Sequence, residues 1–161
     1  MIRCRVGHGF DAHRLVAGRP LVLGGVTVAH ERGLQGHSDG DCLIHALCDA
    51  LLGAVAAGDL GRHFPSSDSR WKDAPSHLFL EETVRLVREK GYRVGNVDLT
   101  VVAQAPILSP YLDPMRRNLG RLLGVGDDAI SVKAKSTDGL GALGRNEGIA
   151  AQATVLLEKD G

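Results

Sequence analysis

Asp11 and His13 stand two apart in Gly7-His8-Gly9-Phe10-Asp11-Ala12-His13, and residues two apart on a strand share one face. A carboxylate beside an imidazole supplies two ligands that suit zinc, although a D-x-H pair alone is a weak signal. The second cluster is Gly36-His37-Ser38-Asp39-Gly40-Asp41-Cys42-Leu43-Ile44-His45, running on through Asp49 to Ala54. It reads as a loop entering a helix, with Ser38 as N-cap and Asp41 completing a capping-box-like pair. Asp41, His45 and Asp49 recur every four residues and so line one helix face. The helix start adds unpaired N–H groups and a positive dipole end, which suit phosphate. A histidine with solvated acidic neighbours is the competing reading of the same spacing; the density of polar groups favours a site. Cys42-x-x-His45-x-x-Cys48 also contains metal-ligand types. Its cysteines are about 600° apart around a helix, however, and read as small core residues.

These residues need elements to carry them. Residues 2–13 read as a strand with Val6 and Phe10 on its apolar side, and with Gly7 and Gly9 admitting another backbone closely. Residues 20–28 read as a hairpin turning at Gly24-Gly25. The helix carrying His45 buries Leu43, Ala46, Leu47, Ala50, Leu51 and Ala54. Residues 58–68 form a Gly/Pro/Ser-rich loop. A second helix over 76–90 presents Leu78, Leu80, Val84, Leu86 and Val87 and stops at Gly91. A strand over 93–105 ends at Pro106, a third helix over 112–123 closes at Gly124, and strands follow over 129–135 and 149–157. Between those last two lies a glycine-rich loop over 138–148. Long, mostly helical crossovers between strands predict an α/β (α+β) two-layer sandwich. Its sheet is expected to be mixed and four-stranded, with helices on one face.

The 161 residues predict a single domain over 1–161. The 19 acidic and 19 basic side chains cancel, so no bulk field recruits nucleic acid or an anionic membrane. No apolar run approaches the ~20 residues of a membrane span. The first residues lack the apolar core of a signal peptide. Three cysteines without a framework spacing fit a reducing compartment, and the expected location is cytoplasmic.

Several blocks together carry a family resemblance. They are Gly7 to His13, His37-Ser38-Asp39-Gly40-Asp41 through His45 to Ala54, Gly58-Asp59-Leu60-Gly61, and Phe64-Pro65 with Asp68. Asn96-Val97-Asp98, Ala103-Gln104-Ala105-Pro106, and Gly144-Arg145 with Glu147-Gly148 continue the match in order. Over nearly its whole length the chain resembles the 2-C-methyl-D-erythritol 2,4-cyclodiphosphate synthase family, enzymes of the non-mevalonate route to isoprenoid precursors. The resemblance implies a cytidine diphosphate-linked substrate, 4-diphosphocytidyl-2-C-methyl-D-erythritol 2-phosphate. Its 2-phosphate attacks the β-phosphorus, closing a cyclic diphosphate and expelling CMP. Positioning and charge stabilisation dominate such chemistry.

By the same resemblance Asp11, His13 and His45 are zinc ligands with a fourth position open, and Asp138 serves a second metal, magnesium or manganese. Asp49, or else Asp41, orients His45 from behind. His37 and Ser38 hold phosphate. Asp59 binds the erythritol hydroxyls, with Leu60, Gly61 and Phe64 around them and Ser66, Ser67 and Asp68 following. Ala103, Gln104, Ala105, Pro106 and Ile107 read cytosine through their backbone. Ser136, Thr137, Ala142 and Arg145 complete the substrate-binding set, and His37 and Ser136 stabilise the transition state. The family assembles as a homotrimer with active sites between neighbours and a central cavity that can hold an isoprenoid diphosphate. This chain departs from the usual pattern at Asp138 (for Glu), Lys135 (for Thr), Ile107 (for Lys), Ser66 (for Asp) and Ala142-Leu143 (for Phe-Thr). Two other functions compete: a zinc phosphohydrolase or phosphodiesterase using the same ligands, and a non-catalytic metal- and nucleotide-binding module.

Overall fold

A computed structural model describes residues 3–161; Ile2, the expected start of the first strand, lies outside the described residues. Strand β1 (Cys4–Ala17) continues past His13. It pairs antiparallel with β7 (Gly148–Lys159), with Asp11 opposite Ala151 and His13 opposite Ile149. Beyond His13 it pairs with β4 (Arg32–Leu34). On the far side of β7 lies β5 (Tyr92–Val102), which pairs parallel with β6 (Ile130–Lys135). The sheet is therefore mixed, as expected, but it has five strands in the order β4-β1-β7-β5-β6 rather than four. The fifth, β4, is three residues long, too short for any periodicity to show. β2 (Leu21–Leu23) and β3 (Val26–Val28) form the expected hairpin as a separate ribbon.

Helix α1 (Cys42–Ala54) lies across β1 and β7, α3 (His77–Glu89) packs beside it, and α4 (Leu112–Leu123) covers β6. α4 has its expected bounds and ends at Gly124, whose φ of 73° is the left-handed helix stop. The buried stripe of α3 is Phe79, Leu80, Thr83, Val84 and Val87. Leu78, expected within it, is exposed because it lies on the opposite side of the helix from the row of Leu80, Val84 and Val87. The loop over 58–68 contains the single turn α2 (Leu60–His63), and the glycine-rich loop before β7 contains α5 (Gly141–Gly144). Among the described residues no helix is long and apolar enough to cross a membrane.

The inner face of β1 is the reverse of the expected one. Val6 and Phe10 are 67% and 56% exposed on the outer face, and Gly7 and Gly9 are buried against α1. A Cβ at Gly7 would stand 1.8 Å from the Ala50 carbonyl oxygen, and one at Gly9 1.9 Å from that of Ala46. The helix backbone thus rests directly on the strand backbone, the close approach that the two glycines predict. Strand alternation then carries Asp11, His13 and Leu15 inward with them.

The start of α1 also differs. Its N-cap is Asp41, whose Oδ1 accepts the Ile44 N–H at 3.0 Å, while Ser38 lies outside the helix. The same carboxylate accepts the Gly24 and Gly25 N–H groups at 3.0 and 2.7 Å, tying the hairpin turn to the helix. Asp41 is fully buried, and burial, aided by the neighbouring Asp39 charge, pushes its carboxyl up to about 6 despite these donors. The folded chain therefore binds a proton that the unfolded chain has lost between about pH 4 and 6. Stability from Asp41 falls as pH rises through that window. Asp41→Asn turns an amide NH₂ towards groups that themselves donate, at a cost of about 1–3 kcal/mol. At this chain length that lowers the melting temperature by about 2–12 °C. Thermal melts between about pH 4 and 7 check it: the gap between parent and variant should narrow with rising pH, and a constant gap contradicts the burial effect.

Candidate active site

Three ligand atoms converge where β1 meets α1. Asp11 Oδ2 lies 2.9 Å from His13 Nε2 and 3.1 Å from His45 Nδ1, and the two imidazole nitrogens are 3.1 Å apart. A tetrahedral ion with bonds of about 2.0–2.1 Å has edges of about 3.3 Å. The triangle is therefore close to one face of such a site, and these three residues form a group able to hold a metal ion. Burial alone would raise the Asp11 carboxyl. The adjoining His13 and His45 rings outweigh it and hold it at about 2, so the carboxylate is ionised over the working range. His45 is 7% exposed and packs against Phe79 at 6.0 Å between ring centroids.

The triangle sits in a cavity of about 380 Å³ whose wall includes His37, Ser38, Asp49, Leu60, Gly61, Phe64, Ser66, Trp71 and Phe79. Arg19 clamps the loop that carries His37 and Ser38, donating to the carbonyl oxygens of Gly36, at 3.0 Å, and Ser38. His37 Nε2 lies 3.3 Å from the Asp68 carbonyl oxygen. Burial raises the Asp49 carboxyl above its usual range, and this carboxylate accepts the Leu60 N–H at 2.7 Å, fixing the start of α2.

The expected orientation of His45 by Asp49 or Asp41 is not made. Leu60 engages Asp49, and the hairpin and helix N–H groups engage Asp41. The far ring nitrogen, Nε2, instead meets Ser76 Oγ at 2.8 Å and Ser38 Oγ at 3.1 Å. Helical spacing placed Asp49 on the cavity side of α1 but could not show which backbone group would reach it first. Ser76, Trp71, Phe79 and Arg19 were not anticipated as parts of the site. Ser76 carried a signal only as a helix start, and Trp71, the single tryptophan, carried none.

Not every expected residue lines this cavity within one chain. Asp59 is exposed and caps α2, accepting the Arg62 N–H at 3.0 Å. Asp68 is held by the Arg70 guanidinium, which lowers its carboxyl, and Ser67 is exposed beside it. A second cluster forms at the ends of β5 and β6, where the Ala103 N–H donates to the Lys135 carbonyl at 2.9 Å. There the Gly139 N–H donates to Gln104 Oε1 at 3.1 Å, and the Ser136 hydroxyl donates to Asp138 Oδ1 at 3.1 Å. Asp138 has a φ of 52°, which aspartate tolerates better than most residues. This cluster, with Ala105, Pro106, Ile107 and Thr137 around it, shares the sheet end that carries Asp11, since Val102 pairs with Ala150 and Ala150 with Ala12. It lies two to three strands away, about 10–14 Å at the spacing of a sheet. On the outer face, Ala142, Leu143 and Glu147 line a recess of about 230 Å³ with Ala12, His13 and Arg14, and Arg145 pairs with Glu147 at 2.9 Å.

Known proteins share this arrangement of sequence and fold. The 2-C-methyl-D-erythritol 2,4-cyclodiphosphate synthase of Moorella thermoacetica is 58% identical over 153 residues, 95% of this chain and 94% of that one. A bifunctional IspDF from Campylobacter jejuni superposes with a TM-score of 0.95 at 40% identity. It covers 99% of this chain, which spans only 43% of that longer one. The CDP complex of IspF from Plasmodium falciparum superposes with a TM-score of 0.87 at 33% identity, over 99% and 98% of the two chains. The YgbB family matches from residue 4 to residue 158. The chain belongs to the YgbB family, and with it to the 2-C-methyl-D-erythritol 2,4-cyclodiphosphate synthases.

Proposed function

We propose that this chain cyclises 4-diphosphocytidyl-2-C-methyl-D-erythritol 2-phosphate to 2-C-methyl-D-erythritol 2,4-cyclodiphosphate and releases CMP. The observation that carries the reading is the Asp11, His13 and His45 triangle on the wall of a cavity that also holds His37 and Ser38. An oxygen of the 2-phosphate forms the new bond to the β-phosphorus, and the bond from that phosphorus to the oxygen shared with the α-phosphate breaks. CMP leaves with the electron pair. The attacking phosphate is already anionic, so no strong base is needed. The protein's task is to hold two mutually repelling phosphates together.

Zinc bound by Asp11, His13 and His45 supplies Lewis-acid polarisation of a phosphate oxygen and a template. His37 and Ser38, on the loop clamped by Arg19, hold phosphate and, with Ser136, steady charge as it moves. Asp59 takes the erythritol hydroxyls beside Leu60, Gly61 and Phe64, with Ser66, Ser67 and Asp68 bounding that end. The backbone of 103–107 takes cytosine. Asp138 is the ligand for magnesium or manganese; one carboxylate plus substrate phosphates suits such ions. Ser136, Thr137, Ala142 and Arg145 complete the substrate contacts.

The separation of the second cluster from the zinc triangle supports a homotrimer whose neighbouring chains complete each other's sites. The bare outer face of the sheet, with the exposed Val6 and Phe10, supports the same assembly. The recess beside Arg145 and Glu147 is then the place for an isoprenoid diphosphate in a central cavity. The reading takes residues 1–161 as one domain acting in the cytoplasm, away from nucleic acid and membrane, which the free thiols of Cys4, Cys42 and Cys48 suit. Product identity tests it. Incubation of protein, substrate, zinc and magnesium should give the phosphorus NMR spectrum of a cyclic diphosphate together with CMP. An uncyclised 2-phosphate product would instead make the chain a zinc phosphohydrolase.

A further inference from the structure

We propose that Ser76 and Asp39 form a hydrogen-bond relay that locks His45 in the tautomer whose Nδ1 is free to bind a metal. The proposal rests on the reading above that His45 is a metal ligand, and it names two positioning residues for that ligand. Ser76 is fully buried at the N-cap position of α3, yet its hydroxyl caps nothing there. A serine at that position ordinarily accepts a helix N–H. Here the hydroxyl turns away from the helix and stands 2.8 Å from His45 Nε2.

The direction of each bond follows from counting hydrogens. The Ser76 hydroxyl has one hydrogen, and it lies within short hydrogen-bond reach of Asp39 Oδ1. An ionised carboxylate only accepts, so that hydrogen belongs to the Ser76–Asp39 bond. Ser76 Oγ then has only lone pairs to offer the imidazole, and Nε2 must carry a hydrogen. In a neutral ring that leaves the lone pair on Nδ1, the atom facing Asp11 Oδ2 and His13 Nε2. Ser38 Oγ, 3.1 Å from Nε2, shares the same hydrogen.

Asp39 is itself well held. Its Oδ2 accepts the Ser76 N–H at 2.9 Å, Oδ1 accepts the Asp41 N–H at 3.1 Å, and its own N–H donates to the Ala74 carbonyl at 3.2 Å. The relay therefore spans the loop before α1, the start of α3 and the ring on α1. It fixes the imidazole from behind without occupying any atom of the ligand triangle. Outer partners of this kind fix both tautomer and ring orientation, and their loss commonly weakens metal binding 10–100-fold.

The test uses the full chain with ¹⁵N-labelled histidine, read first without metal. The parent should show a protonated-type Nε2 at His45, with an unprotonated-type Nδ1 once zinc is bound. Ser76→Ala should mix the two tautomers and weaken zinc binding about 10–100-fold in competition with a chromophoric chelator. Ser76→Thr, which keeps the hydroxyl, should restore both. Asp39→Asn must turn an NH₂ towards one of its three donors, and it should weaken zinc binding in the same direction even if Ser76→Ala fails to fold. Unchanged tautomer and zinc affinity in Ser76→Ala, with only the melting temperature lowered, overturns the relay and makes Ser76 a structural residue. Failure of the parent to bind zinc overturns the ligand reading instead, while the metal-free nitrogen spectra still decide the relay.

Discussion

His45→Ala should yield a folded chain with no tightly bound zinc and a turnover at least ~10³-fold below the parent. Such a loss corresponds to about 4 kcal/mol of transition-state stabilisation. Removing the ring leaves a carboxylate and one imidazole, two ligands of a set that needs three with one position open. The effect reaches beyond the ligand set, because α1 is buried on nearly every side rather than along one stripe, and His45 packs on Phe79. A moderate drop in melting temperature should therefore accompany the loss of metal. Metal analysis of the purified variant, with turnover at saturating zinc, checks the expectation. Full zinc occupancy in His45→Ala would remove this residue from the ligand set.

What could be read from the chain depended on how local the deciding contact was. The bounds of α4 and the turn of the β2–β3 hairpin rest on signals a few residues long, and both were legible. The pairing of Asp11 with His13 follows from strand alternation alone. That pair's meeting with His45 is long-range, and only Gly7 and Gly9 hinted at it, by making room for a helix backbone. The same glycines misled the assignment of faces. With no side chains at 7 and 9 to mark the inner surface, Val6 and Phe10 looked like the core. Ser76 and Asp39 lie 37 residues apart, and nothing in local spacing joins them. Asp49 illustrates the converse error, since its spacing from His45 was right while its carboxylate was captured by the Leu60 N–H. The segments at 103–107 and 136–138 contain few chemically marked side chains. Family resemblance singled them out where residue chemistry did not.

Gly9→Ala should damage both stability and metal binding without altering any ligand. The added Cβ would lie 1.9 Å from the Ala46 carbonyl oxygen, 2.8 Å from the Ala50 nitrogen and 2.9 Å from the Ala46 carbonyl carbon. All three are helix backbone atoms, so no side-chain rotation relieves the clash, and α1 must retreat from β1 by more than about 1 Å to reach ordinary contact. A retreat strips packing from a helix whose residues from Cys42 to Cys48 are all buried. Overpacking of about 3 kcal/mol lowers the melting temperature by about 6–12 °C at this chain length. Asp11 and His13 ride on β1 and His45 on α1, so the same shift widens two edges of the ligand triangle from 3.1 Å, and zinc affinity should fall with the melting temperature. Gly53→Ala is the contrasting substitution, at an exposed position near the C-terminal end of the same helix. Its Cβ meets nothing within 4 Å, and alanine favours a helix interior over glycine by about 0.8–1.0 kcal/mol, so this variant should melt slightly higher with its zinc affinity intact. Thermal melts and chelator competition on the two variants measure the difference. A Gly9→Ala protein with parental values for both would mean that β1 and α1 do not rest backbone on backbone.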